Sequence, residues 1–263
     1  MIRVSKCLNL EDYGLLLQDD SLTITKNIDK TIYIDGSITI NVMKNVNVKI
    51  VDQVMNGNVL VNILDDANVD YQILNTSNCN HKFVCNGYLK VMQITLGSSN
   101  EEFNVELVKE GANAFVELLA LGSNASETFN QSIIHNAIHT ESNISNFGIA
   151  MAGSQIMFDT TGKINKKMAK SICRQLSKGV VMDDDSEVTS KPILLIDEYD
   201  VIANHGASIG KMSDESLFYL MSRGLTKTEA FLLILEGILR PFIDKILDKD
   251  LKVSLEKEIR ALI

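Results

Sequence analysis

NVNVKI at residues 45–50, NVLVNI at 58–63 and NVDYQIL at 68–74 are three versions of one short phrase. Val59, Val61 and Ile63 fall on one side of an extended chain, and Val69, Tyr71 and Ile73 do the same. Alternate side chains of a strand point to opposite faces, so each segment is a half-buried strand. The near repetition at short spacing carries the fold.

The same period of two reaches outward in both directions. Leu22 and Ile24 share a face in SLTIT (21–25), as do Ile32, Ile34, Ile38, Ile40 and Val42 in TIYIDGSITINV (31–42). It dominates from Ser21 to about Ile164, with short connections such as DG, DDAN, NTSN, GSSN and GSN. Many short strands with tight turns fit a sandwich, a barrel or a β-helix. The Asn-Val steps at Asn41, Asn45, Asn47, Asn58 and Asn68 favour stacked coils, with Asn at left-handed corners and Val in a narrow core. Alternation alone leaves a β-sandwich open.

The last third changes period. ILLIDEYDVIA (193–203) reads as one more long strand, and MDDDSEVTSK (182–191) as a solvated acidic loop. Ser213 is placed as a helix N-cap, followed by Asp214 and Glu215, which complement the helix dipole. Leu217, Leu220 and Met221 form an apolar stripe, and Gly224 stands where a helix-terminating glycine belongs. Thr226 and Glu229 form a capping box for a second helix, and Pro241 is expected to open or kink a third. The expected division is a lead-in over 1–20, a β core over 21–210 and a C-terminal helical domain over 211–263.

A chain of 263 residues can bury one sizeable core. No apolar run approaches the ~20 residues that span a bilayer. The first residues turn acidic before a signal-type apolar core develops, so no export signal is read and the cytoplasm is the expected compartment. A net charge of −9 argues against binding nucleic acid. Cys7, Cys79, Cys85 and Cys173 show no zinc-ribbon spacing and are read as free thiols.

Candidate chemistry is sparse. His135 and His139 have the HxxxH spacing of a helical zinc pair, but the surrounding segment reads as strand and turn, where four residues span ~13 Å. No phosphate loop or nucleophile elbow is present. Asp35, Asp65, Asp66 and Asp70 could supply carboxylates for polysaccharide chemistry, although Asp at corners usually serves turn geometry. The alternative reading is therefore a stand-alone β-helix that binds or cleaves carbohydrate. An aromatic fraction of 6% with no Trp argues against sugar stacking. From pattern alone His205 is expected to be a histidine hydrogen-bonded at a strand end, and a single imidazole is an incomplete metal site.

KPILLIDEYDVIANHGASIGKMSDESLFYLMSRGLTKTEAFLLILEG, residues 191–237, closely resembles the SufB/SufD family of iron–sulfur cluster assembly scaffolds. The stretch ELLALGSNASETFNQSIIHNAIHTESNISNFGIAMAGSQIMFDTTGKI (117–164) resembles that family's core, and KMAKSICRQLSKGVVM (167–182) does so less sharply. The resemblance implies a mainly β fold: a right-handed parallel β-helix followed by a small α-helical domain. It implies a non-catalytic scaffold subunit, more like SufD than SufB, pairing through its β-helix with a SufB-like subunit or a second copy of itself. A SufC-type ATPase would dock on the C-terminal helices, with Phe218, Tyr219, Arg223 and Gly224 forming the expected contact. No tightly bound cofactor is implied. A transient cluster would sit at the subunit seam, where the family histidine matches His205 in HGAS; Cys173 matches no family cluster cysteine clearly. Strands that begin so close to Met1 give this chain the look of a shortened member.

Overall fold

The computed structural model describes residues 2–6, 10–74 and 77–261. Among them run eighteen strands: β1 (Ile2–Arg3), β2 (Leu15–Gln18), β3 (Ser21–Ile24), β4 (Ile32–Ile34), β5 (Ile38–Val42), β6 (Asn47–Asp52), β7 (Asn56–Ile63), β8 (Asn68–Leu74), β9 (Asn78–Cys85), β10 (Tyr88–Leu96), β11 (Ser99–Leu107), β12 (Asn113–Ser123), β13 (Ser126–His135), β14 (Glu141–Met151), β15 (Gln155–Ile164), β16 (Ile172–Val181), β17 (Glu187–Ile196) and β18 (Ile202–Lys211). Three helices follow: α1 (Asp214–Ser222), α2 (Lys227–Ile243) and α3 (Lys249–Ala261).

The strands form two sheets that the chain visits in alternation. The first runs β1-β4-β6-β8-β10-β12-β14-β16-β18, and the second β2-β3-β5-β7-β9-β11-β13-β15-β17. Every pairing is parallel except β2 with β3, so the body is a two-sheet parallel β-helix. Ile32 pairs with Ile50, Asn47 with Asn68, Tyr88 with Asn113, Asn113 with Glu141 and Glu141 with Ile172, offsets of 18, 21, 25, 28 and 31 residues. The coils lengthen toward the C-terminal end.

The period of two translates directly into burial. Leu22, Ile24, Ile40, Val42, Val59, Val61, Ile63, Val69, Tyr71 and Ile73 all line the core. The run at 31–42 is two strands, β4 and β5, divided by a corner at Asp35–Ser37. Of the five Asn-Val asparagines only Asn45 has a left-handed φ, +61°. Others stack in ladders between coils: Asn68 Nδ2 donates to Asn47 Oδ1 at 2.7 Å, and Asn62 Nδ2 to Asn41 Oδ1 at 2.9 Å. Such ladders satisfy an amide with its own neighbour's amide, rung after rung.

The interior also holds polar groups, Asp52 and His81 in the earlier coils and Gln131, Asn146 and Thr160 in the later ones. Asn146 Nδ2 and Thr160 Oγ1 both donate to Gln131 Oε1, at 2.7 and 3.2 Å, linking three inner-facing side chains. Gly162 makes room for such groups, because a Cβ there would lie 2.4 Å from Cys173 Sγ.

The helices lean on the outer face of the first sheet. Leu235, Leu239 and Ile243 of α2 and Leu255 and Ile259 of α3 pack with Val51, Leu74, Met92, Ile94, Leu119, Leu121 and Ile149. Gln72 fastens the junction, donating to Lys245 O at 2.8 Å and accepting from Leu247 N at 2.9 Å. The caps fall where the sequence places them. Ser213 accepts from Ser216 N, Thr226 and Glu229 close a capping box, and Gly224 has φ +97°.

Four local expectations need correction. The strand expected over 193–203 is the end of β17 and the start of β18, separated by a corner at residues 197–201. There Glu198 accepts backbone N–H groups from Lys167 and Tyr199, which bends the chain from one sheet to the other. The acidic loop is shorter than 182–191, since β17 begins at Glu187, and Asp183 and Asp184 bind Ala152 N and Lys211. Pro241 lies inside α2, where the face of Leu235, Leu239 and Ile243 continues past it into the packed layer. That burial outweighs one lost backbone hydrogen bond. In α1 only Leu217 is buried; Leu220 is half-buried and Met221 exposed, so the expected stripe is a single anchor.

Candidate functional site: the open end of the solenoid

The two ends of the β-helix differ. At the start, β2 folds back antiparallel on β3, and Leu10, Tyr13 and Ile28 pack against the core beside it. At the other end the last strand of each sheet, β17 and β18, has a neighbour on one side only. The chain leaves sideways through α1 instead of crossing that end. A terminal coil left in this way presents unpaired backbone donors and acceptors and the inner side chains of its own last rung.

His205 belongs to that rung. It pairs with Gln175, which pairs with Ile144, itself aligned with Val116. Val116, Ile144 and Gln175 are buried, so the column is inward-facing, and His205 is exposed only because no further coil covers it. Its ring makes no hydrogen bond to the described residues. Directly behind it Gln175 Nε2 reaches Ile193 O at 3.3 Å, while Gln175 Oε1 is buried without a partner. Cys173 sits one inward position earlier, 1% exposed, and burial raises its thiol pKa above the usual range. Ile196 and Ile209 on inward columns and Ile193, Leu195 and Ile202 on the outer faces of β17 and β18 form an exposed apolar rim at this end, with Tyr199 fully exposed.

The remaining histidines lie elsewhere. His81 is buried against Asp52, Nε2 to Oδ2 3.0 Å. His135 closes β13 inside the core, its ring nitrogens on Thr140 Oγ1 at 2.7 Å and Ser142 Oγ at 2.8 Å; burial lowers its pKa to about 4. His139 stands at the following turn with φ +56°, as the strand-and-turn reading requires. Among the described residues no three His, Cys, Asp or Glu side chains converge on a metal-sized site. Cys79 and Cys85 are buried thiols raised by burial to about 12 and about 11, and Cys7 lies outside the described residues. At the corners Asp65 is clamped by Asn86, Lys44 and Lys109, which lower its pKa to about 2.

On α1, Phe218 is 75% exposed and Tyr219 is also exposed. Arg223 folds back over the Tyr219 ring at 5.2 Å and donates to its hydroxyl at 3.2 Å. Gly224 ends the helix beside them. The helix is held at Leu217 and shows its aromatic pair to solvent. Periodicity did not reveal the apolar rim or Gln175, because their exposure follows from where the solenoid stops.

The body is thus a two-sheet parallel β-helix with one uncapped end and a buttress of helices. The family model described as SUF system FeS cluster assembly, SufBD core domain, matches residues 19–238. The chain belongs to the SufBD family of iron–sulfur cluster assembly proteins. It is similar to the iron–sulfur cluster assembly protein SufD of Bacillus subtilis, 26% identical over 267 residues, covering 95% of this chain and 58% of that protein. It is also similar to a SufBD family protein of Mycobacterium tuberculosis, 30% identical over 156 residues, covering 58% of this chain and 18% of that one. A Staphylococcus epidermidis SufBD family protein is 26% identical over 181 residues, covering 68% of this chain and 38% of that one. The chain spans less than two thirds of the length of these relatives. Among the described residues no helix is long and apolar enough to cross a membrane.

Proposed function

We propose that this chain is a non-catalytic, SufD-like scaffold subunit acting in the cytoplasm. It pairs through the open end of its β-helix with a SufB-like subunit or a second copy of itself, and carries a SufC-type ATPase on its C-terminal helices. The observation that supports this most is the exposed terminal rung, with His205 on an inward column and an apolar rim around it. A second solenoid end would cover that rim, satisfy the edge backbones and enclose the imidazole. His205 would then offer a nitrogen lone pair to iron, and the partner would supply the remaining ligands. The cluster is cargo in this reading, held only while both chains contribute.

The test is recovery of the tagged chain from its native cytoplasm, followed by mass spectrometry of the associated proteins. An ATP-binding-cassette ATPase together with a second SufBD chain, or a dimer of this one, is the expected result. Recovery without any ATPase would overturn the docking part of the reading.

A further inference from the structure

Glu127, on the inner face of β13, is 1% exposed, and neither of its carboxyl oxygens has a hydrogen-bond partner among the described residues. Its aligned neighbours are Ser99 on β11 and Ile156 on β15. Two residues past Ser99, on the same inner face, lies Glu101, also 1% exposed. The Glu101 carboxyl accepts from the Gln93 amide at 2.5 Å and the Ser99 hydroxyl at 3.0 Å.

Among the described residues no positive charge acts on Glu127. Glu101 is the charged group that acts on it. Further along the interior, Cys79 feels both Glu101 and Asp52, and Asp52 is occupied by Tyr71 at 2.6 Å, His81 at 3.0 Å and Val54 N at 2.8 Å. Gln93 and Thr95, from the first sheet, are neutral. Two negative carboxylates cannot share a dry interior, one of them without a donor, when a proton would neutralise one at far lower cost.

We propose that Glu101 and Glu127 hold one proton between them inside the solenoid at neutral pH, and that its loss in alkaline solution loosens the middle coils. Burial, reinforced by the charge of Glu101, moves the Glu127 carboxyl up to about 9, in keeping with that geometry. A carboxyl raised in the folded state favours folding fully below its unfolded value near 4.5. That contribution fades as pH rises and is gone above about 9.

Equilibrium unfolding of the whole chain and of Glu127→Gln, from about pH 5 to about pH 10, tests this. Relative to the variant, the wild-type unfolding constant is expected to rise about tenfold per pH unit and then level off. Parallel profiles would overturn the proposal. Infrared spectra of the wild type at neutral pH need no variant: a protonated-carboxyl carbonyl band is expected, and its absence is equally fatal. Glu101→Gln should move the levelling point to lower pH, whereas an unmoved point would exclude a shared proton. Stabilisation of the wild type but not of Glu127→Gln by calcium or magnesium would show that a metal ion neutralises the pair, overturning the proton assignment.

Discussion

The Tyr33 hydroxyl, on the second strand of the first sheet, donates a hydrogen bond to the Asp248 carboxylate at the head of α3, 215 residues later. Asp248 also accepts from Asp250 N and Leu251 N, so one carboxylate caps a helix and ties it to the start of the solenoid. Burial and the neighbouring carboxylate push the Tyr33 phenol well above its ordinary range. Tyr33→Phe removes this tie but keeps the packing. It is expected to cost about 1.5–3 kcal/mol, as for hydrogen bonds to charged groups, and to raise hydrogen exchange in α3 selectively. Equal exchange in α3 would show that apolar packing alone holds the helices.

His205→Ala tests the terminal rung. An exposed imidazole contributes little packing, so the unfolding midpoint and assembly should be nearly unchanged. Cluster content of the reconstituted complex should fall. A drop of several degrees in Tm with cluster content intact would make His205 a structural residue.

Phe218→Asp tests the helical patch. Phe218 is three-quarters exposed, so a charge there should leave folding intact and weaken ATPase binding in titration calorimetry. Unaltered affinity would move the docking site elsewhere.

His135 predicts an acid limit. Its folded pKa of about 4 lies below the ordinary histidine value of 6.5, because burial disfavours the charged ring. The neutral ring's contribution is therefore present above about pH 6.5 and is lost as pH falls toward 4. The difference amounts to about 3 kcal/mol. His135→Gln should flatten that part of the stability profile in urea titrations, and an unchanged slope would locate the acid sensitivity in other groups.

Much of the β-helix was legible because a strand's alternation survives folding unchanged: Leu22 and Ile24, or Val59, Val61 and Ile63, point where their spacing says. Caps were equally readable at Ser213 and at Thr226 with Glu229, since they depend on residues within one turn. What escaped depends on remote contacts. The corner at 197–201, Asp-Glu-Tyr-Asp-Val between two apolar runs, is made by Glu198 gripping the coil below, a contact 31 residues away in the chain. Pro241 stays helical because the sheet beneath α2 rewards it. The polar interior was partly readable: Phe129 and Ile133 fix the inner face of β13, which places Glu127, Gln131 and His135 inside. The role expected of His205 came from resemblance, and its position on an uncovered inner column depends on which coil is last.

Coils of 18 to 21 residues between β4 and β10 give way to coils of 30 to 32 at the last strands, so the open end is the wide mouth of the solenoid. β17 and β18 each have ten residues, so each edge is roughly 33 Å long at about 3.3 Å per residue. The narrow end, with strands of two to five residues, could offer a partner only a fraction of that rim. A mate of smaller bore would leave hydrogen-bonding groups stranded around the circumference. Calibre, set by the number of residues per coil, thus becomes a criterion of partner choice before any side chain is consulted.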